Sequence, residues 1–379
     1  KWNRTNGYTS GPQSRYSIFA DGHYDLNDKV TVFGGARFAE SRTATLLFGT
    51  DAISGWETTV PYNPATDSPI DPTLDYSDQA VLDAVAADPA AFFAANPNPG
   101  FIPTGTAGAG HPVPEELAWL LNSRTNQSAR WQPQWMPDTS LPPRQTTNTI
   151  QTWQLEAGLD FELPFRDWAG EIYWSHGESA TYNVAGGNLS LARYRAVMNQ
   201  PDYGRNSAGT GNIFYAVESE NGIEVVDTIR PAFGVGDFTC TSGFYDVLFG
   251  GDQPMSEDCF NAVNANIQTR TEMSQDIFEL NLQGGLIDLP AGELRAAAGY
   301  QNRKVKGMFN PDVLQSSDSF MDQVVGVYPT GYLDASTTVN DFYVETLVPL
   351  LSDLPFIQKL ELEMGARYSD YKETGDKEW

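Results

Sequence analysis

Eight segments of this chain alternate apolar and polar residues with a period of two, and they come in pairs joined by short turns. In QDIFELNLQGGLIDLPAGELRAAAGY, residues 275 to 300, Phe278, Leu280, Leu282, Gly284 and Leu286 share one side of an extended chain, while Glu279, Asn281 and Gln283 share the other. Successive side chains of a strand point to opposite faces, so this pattern specifies a strand with two unlike faces. After a turn, Leu294, Ala296, Ala298 and Tyr300 oppose Glu293, Arg295 and Gln301. Three more copies pair Tyr16 to Tyr24 with Val30 to Phe38, Trp153 to Phe161 with Trp168, Ile172 and Trp174, and Phe342, Val344 and Val348 with Leu360 to Tyr368. The expected fold class is all-β: an antiparallel sheet of about eight strands in four hairpins.

A half-buried soluble sheet and a transmembrane barrel both give this alternation, one turning its polar side to water and the other to a lumen. The connections separate the two. Turns within hairpins are short, but between hairpins the chain runs through about residues 44–148, 184–270 and 310–335. Soluble domains seldom hold structureless connections beyond about 15 residues, whereas outer-membrane barrels combine short periplasmic turns with long extracellular loops. Aromatic residues bracket the apolar runs, as Tyr16 and Tyr24 or Trp153 and Phe161 do, in the manner of interfacial girdles. The reading is therefore an antiparallel transmembrane β-barrel segment, with residues 1–379 part of one barrel domain; a soluble sandwich is the rival fold. No apolar run reaches the ~18 residues of a transmembrane helix, which leaves tilted strands as the means of crossing.

The formal net charge is −26, which excludes nucleic-acid backbones as partners because those require clustered Lys and Arg. The amino terminus, KWNRTNGYTSGPQSR, has no apolar signal-peptide core, so a leader has been removed or the start of the gene product is absent. The connections carry helix signatures: DYSDQAVLDAVAADPAAFFAANP holds one before Pro89, VPEELAWLLNSRTNQ begins with Pro114 and two acids, and LSLARYRAVMNQPDYG and SEDCFNAVNANI read as two short helices. The loops are therefore expected to be partly helical and structured. Cys240 and Cys259, the only cysteines, lie far in sequence from His23, His111 and His176, which does not suit a zinc site. A disulfide is the expected state, with two unpaired thiols as the alternative; a bridge implies an oxidising compartment.

The run DASTTVNDFYVETLVPLLSDLPFIQKLELEMGARYSDYKETGDKEW, with ELNLQGGLIDLPAGELRAAAGYQNRK and the loop of Cys240 and Cys259, resembles the barrel of TonB-dependent outer-membrane receptors. The likeness covers most of residues 14–379, the loops matching in style more than in letter. It implies location in the bacterial cell outer membrane, contact with outer-membrane lipid and lipopolysaccharide, and energised uptake of a scarce ligand such as a siderophore-type chelate or an oligosaccharide. Such receptors have 22 strands and a plugged lumen. No plug domain and no TonB-binding box are present in these residues, so the TonB complex would act through a plug elsewhere, and the chain reads as an internal segment of a longer receptor. Alternatives are a passive outer-membrane porin, a small barrel closed by eight strands, and, more remotely, an outer-membrane hydrolase. No cofactor is implied.

By alternation Arg37, Glu156, Glu171, Glu279, Arg295, Glu345, Glu361, Glu363 and Arg367 face the lumen, where they would pair with one another or with a plug rather than with the ligand. The first connection is acidic, with Asp51, Glu57, Asp67, Asp71, Asp75, Asp78, Asp83, Asp88, Glu115, Glu116 and Asp138 against Arg124, Arg130 and Arg144, so it would attract cations unless it is simply a solvated surface. Trp131 and Trp135, with Arg130 beside them, are ligand-facing candidates by stacking on sugar or aromatic rings; packing inside the loop is the other reading. YWSHGES offers Ser175, His176, Glu178 and Ser179, but adjacent residues of a strand face opposite ways, which argues against catalysis. GTAGAG at 105–110 has no following Lys and is no phosphate loop.

Overall fold

The computed structural model describes residues 8, 10–52, 55–135, 141–210, 215–219, 222–226, 237–251, 253–316 and 322–379. Its strands in chain order are β1 (Gln13–Asn27), β2 (Val30–Leu47), β3 (Arg144–Glu162), β4 (Ala169–Leu189), β5 (Ser207–Thr210), β6 (Tyr215–Ser219), β7 (Gly222–Val226), β8 (Asp237–Cys240), β9 (Asn264–Leu289), β10 (Gly292–Asn310), β11 (Leu333–Leu354), β12 (Ile357–Tyr371) and β13 (Lys377–Glu378). The helices are α1 (Pro64–Asp67), α2 (Gln79–Ala87), α3 (Pro89–Ala95), α4 (Glu115–Asn122), α5 (Leu191–Met198), α6 (Tyr245–Phe249) and α7 (Glu257–Val263). One nine-stranded sheet runs in the order β1-β2-β3-β4-β9-β10-β11-β12-β13, antiparallel throughout, and β5-β8 and β6-β7 form two small pairs. The sheet is open: among the described residues β1 and β13 are edges with no strand joining them.

The eight long strands are those of the four sequence hairpins, and the ninth is a two-residue stub. Strands run further into the connections than alternation suggested, so these shrink to 48–143, 190–263 and 311–332. The extra strand ends, TATLL on β2 and RQTTN on β3, carry threonines and amides that blur the period-two signal but still suit an extended chain. The first turn sits at Asp28 and Lys29, one residue beyond its expected place, with a register shift beside it. Past Asp88 the chain does not leave the helix region as expected. Asp88 accepts the Ala91 amide at 3.0 Å and Pro89 opens α3, because a proline at the first helical position forfeits no hydrogen bond.

Several cross-strand pairs set an aromatic ring over a glycine: Phe33 lies over Gly158, Trp168 over Gly284 and Tyr343 over Gly299, so a Cβ at each glycine would meet the ring. The Tyr343 hydroxyl then donates to Asn281 Oδ1 at 2.9 Å. Gly299→Val should expel that ring and lower stability by about 1–3 kcal/mol in chemical unfolding. Gly307→Val, with nothing within 4 Å of the added Cβ, should leave the unfolding midpoint almost unchanged.

Candidate functional site

The register lays the apolar positions of all eight long strands on one face. A single row reads Tyr24, Val32, Leu159, Ile172, Leu280, Tyr300, Phe342 and Tyr368 across β1 to β12. Away from the turns, the apolar run nearest the turn ends on an aromatic residue on each strand: Tyr16, Phe38, Trp153, Trp174, Phe278, Tyr300, Phe342 and Tyr368; apolar residues recur further out on three of them, at Ala44 and Leu46, at Ala180, Tyr182 and Val184, and at Met308. Immediately beyond the aromatic residues stand Ser14, Glu40, Gln151, His176, Asp276, Asn302, Asn340 and Asp370. The aromatic line steps toward the turns by eight residues in crossing seven strand spacings. With a rise of ~3.3 Å per residue and a spacing of ~4.8 Å, the strands lean about 40° from the normal to that line, within the range for closed barrels. Water is not kept from this face by any described part of the chain; Ile18 is 69% exposed, Tyr24 71% and Phe342 51%.

The opposite face is polar, and all nine residues expected on it stand there by register: Arg37, Glu156, Glu171, Glu279, Arg295, Glu345, Glu361, Glu363 and Arg367. Many are bonded to neighbours. Arg37 reaches Glu156 at 2.8 Å and Asp21 at 3.5 Å, and the Tyr173 hydroxyl donates to Glu156 at 3.2 Å. Glu171 accepts from Asn281 at 3.4 Å. Gln301 bridges Glu279 and Arg367, and Arg367 pairs with Asp341 at 2.7 Å. Arg295 holds Asp167 at 2.6 Å and Glu293 at 2.9 Å, tying the second hairpin's turn to the third. Glu361 pairs with Lys359 at 2.7 Å, whereas Glu345 and Glu363 line a small cavity of about 250 Å³ with Arg295. A larger groove of about 570 Å³ opens near the turns, lined by Asp28, Lys29, Asp160, Glu162, Glu171, Asn281 and Tyr343.

Most of the buried apolar residues lie outside the sheet. Trp56, Val60 and Trp135 of the first connection pack with Tyr194, Tyr203, Phe244 and Val247 of the second and Val325 of the third, giving the three long connections one shared core. A second cluster, Tyr62, Ile70, Phe93, Val113, Ala118 and Leu121, belongs to the first connection alone. The connections are thus a structured cap. Cys240 and Cys259, both fully buried, are joined by a disulfide that fixes β8 to α7. Beside it Asp258 accepts from the Thr241 amide at 2.9 Å and hydroxyl at 2.8 Å, and hydroxyl donors, Ser256 foremost, hold its carboxyl well below the usual carboxylate range.

Of the two readings of the tryptophans, the structure favours packing inside the cap. Trp135 is buried, its Nε1 donating to the Tyr194 hydroxyl at 2.8 Å, and Trp131 is half-buried with its ring 6.2 Å from Phe249. Arg130 is exposed and donates to Asn199 Oδ1 at 3.1 Å. Several acids of the first connection serve locally: Asp71, Asp75, Asp78 and Asp88 accept from backbone amides in turns and helix caps, and buried Asp67 accepts the Asn63 amide at 2.8 Å. Asp138 lies outside the described residues. Ser175 and His176 stand on opposite faces, and the carboxylate beside His176 is Asp276, 2.6 Å from Nδ1 on the apolar face. That arrangement does not assemble a nucleophile with its base.

No protein-family model matches the chain, and no curated protein matches it. Replacing both Cys240 and Cys259 with Ser should weaken the cap by about 3 kcal/mol, the value for a loop of this size in the chain-entropy model. The expected readout is faster proteolysis between residues 241 and 258, with cleavage in the sheet unchanged.

Proposed function

We propose that this chain forms part of the wall and the external cap of an outer-membrane β-barrel receptor of the TonB-dependent type, which takes up a scarce ligand such as a chelate or an oligosaccharide. The observation that carries this reading is the aromatic line that ends the turn-side apolar run on each of the eight long strands. Tyr and Trp gather where hydrocarbon meets headgroups, because their rings are apolar and their O–H or N–H groups bond to water. The apolar runs below the line, such as Leu360 to Tyr368, cover about 26 Å along the strand and about 20 Å in height at a 40° lean, close to the apolar band of such barrels.

The free sheet edges fit the same reading. In hydrocarbon every backbone N–H and C=O needs a partner, so an open wall of this kind requires further strands on both sides, as the larger barrels of plugged receptors provide. The polar face, with its ion pairs and its groove, would line the lumen and meet a plug through which the TonB complex acts. The cap would stand on the extracellular side and supply ligand-facing surface. A charge on the lipid side should be costly. Leu282→Arg should block stable insertion, at about 2–4 kcal/mol near the midplane, while Gln283→Arg on the adjacent lumen side should insert normally. Equal recovery of the two variants from outer membranes would refute the facing.

A further inference from the structure

We infer that the contact between residues 104–111 and 198–205 is an acid-releasable latch that ties the first connection of the cap to the second. Asp202, Tyr203 and Gly204 are three successive residues in the left-handed region, at φ 53°, 54° and 81°. Two of them carry a Cβ, for which this conformation is unfavourable, and such a backbone persists only where contacts over-determine it. Those contacts come from the first connection. The Asp202 carboxylate accepts from the Thr104 hydroxyl and the Gly105 amide, each at 2.7 Å, and the Asp202 amide donates to the Gly110 carbonyl at 2.5 Å. The glycine-rich stretch at 105–110, too short of basic residues for a phosphate loop, thus cradles a carboxylate of its own chain.

His111 closes the other half of the contact. It is 6% exposed, its Nε2 donates to the Met198 carbonyl at 3.2 Å, and its ring meets the edge of Tyr203 at a centroid distance of 5.2 Å. The Tyr203 hydroxyl donates back to the His111 carbonyl at 3.4 Å. The charged and titratable groups around the latch are Asp67, Asp246, Arg130, Arg205, Tyr62 and Tyr245, besides Asp202 and Tyr203. Burial holds the imidazole below its ordinary pKa; Arg130 acts in the same direction, and Asp67 and the Met198 and Gln200 carbonyls only partly oppose it. The neutral ring therefore belongs to the closed latch. Its contribution is complete above the ordinary histidine pKa near ~6.5 and is lost as pH falls through the lower folded value.

Acid acts through His111: a proton there places a cation in a dry contact. Expelling the ring removes its packing against Tyr203 and the bond to the Met198 carbonyl, which leaves the left-handed turn with fewer of the contacts that over-determine it. The latch stands independently of the membrane reading and would operate in a cap of any function.

The test is hydrogen exchange on the full chain at about pH 7.5 and about pH 5, corrected for the pH dependence of intrinsic exchange. Amides in 104–111 and 202–205 should lose protection on acidification, in the direction set by the lowered His111 pKa. Amides of α4, in the separate core of the first connection, should not change. His111→Gln keeps a donor for Met198 without titrating and should remain protected at acid pH. Asp202→Asn should already exchange at neutral pH as fast as the parent does in acid. Unchanged latch protection in the parent at both pH values, or a protected Asp202→Asn, would overturn the inference. Should the Gln variant lose α4 protection at neutral pH, Asp202→Asn alone decides between these outcomes.

Discussion

A sheet whose two faces are both uncovered has to satisfy two solvents. On one face, eight strands set Tyr, Phe, Leu, Ile and Val side chains outward with no described part of the chain over them. At roughly 25 cal/mol for each Å² of apolar surface, leaving that face in water forfeits the gain its burial would bring. On the other face, the Arg37, Glu156, Glu279 and Arg367 networks satisfy one another in a polar setting. On the proposed reading, the lean of the strands, the aromatic line and the open edges fit this one sheet to an apolar slab on one side and an aqueous space on the other.

The cap answers a different requirement. Its three connections are too long to be turns, and they share a core of buried aromatics that resembles the interior of a small water-soluble domain. The disulfide and the latch each join segments distant in sequence, so the cap is braced against the chain entropy of its long loops. On the proposed reading, this rigidity fixes the shape that a ligand would meet.

Much of the sheet was legible in the sequence, because period-two alternation is local and each turn fixes the register inside its hairpin. Phe278 to Leu286 and Leu360 to Tyr368 announce their faces without reference to anything else. The register between hairpins is not local. The pairings of Phe38 with Trp153, Trp174 with Phe278 and Tyr300 with Phe342 align the aromatic line, which is why only Tyr16 and Trp153 of that line, with Tyr24 and Phe161 toward the turns, are legible as girdle residues in the sequence. The bonding of Arg295 to Asp167 on the neighbouring turn was hidden for the same reason. The choice between ligand contact and packing for Trp131 and Trp135 stays open in the sequence because burial in the cap depends on Tyr194 and Phe249, more than fifty residues away. Asp88 followed by Pro89 did carry a usable signal, an N-cap with proline at the first helical position, that was read only as a stop.

The most direct measurement is a nitroxide scan along residues 360 to 368 of the protein in its outer membrane or in reconstituted bilayers, comparing collision with oxygen, which partitions into lipid, and with a water-soluble nickel chelate. The account predicts a period of two, with Leu360, Leu362, Met364, Ala366 and Tyr368 in contact with oxygen and the intervening positions in contact with the chelate. Equal access of the chelate to both sets would place both faces in water, and the membrane wall proposed here would be wrong.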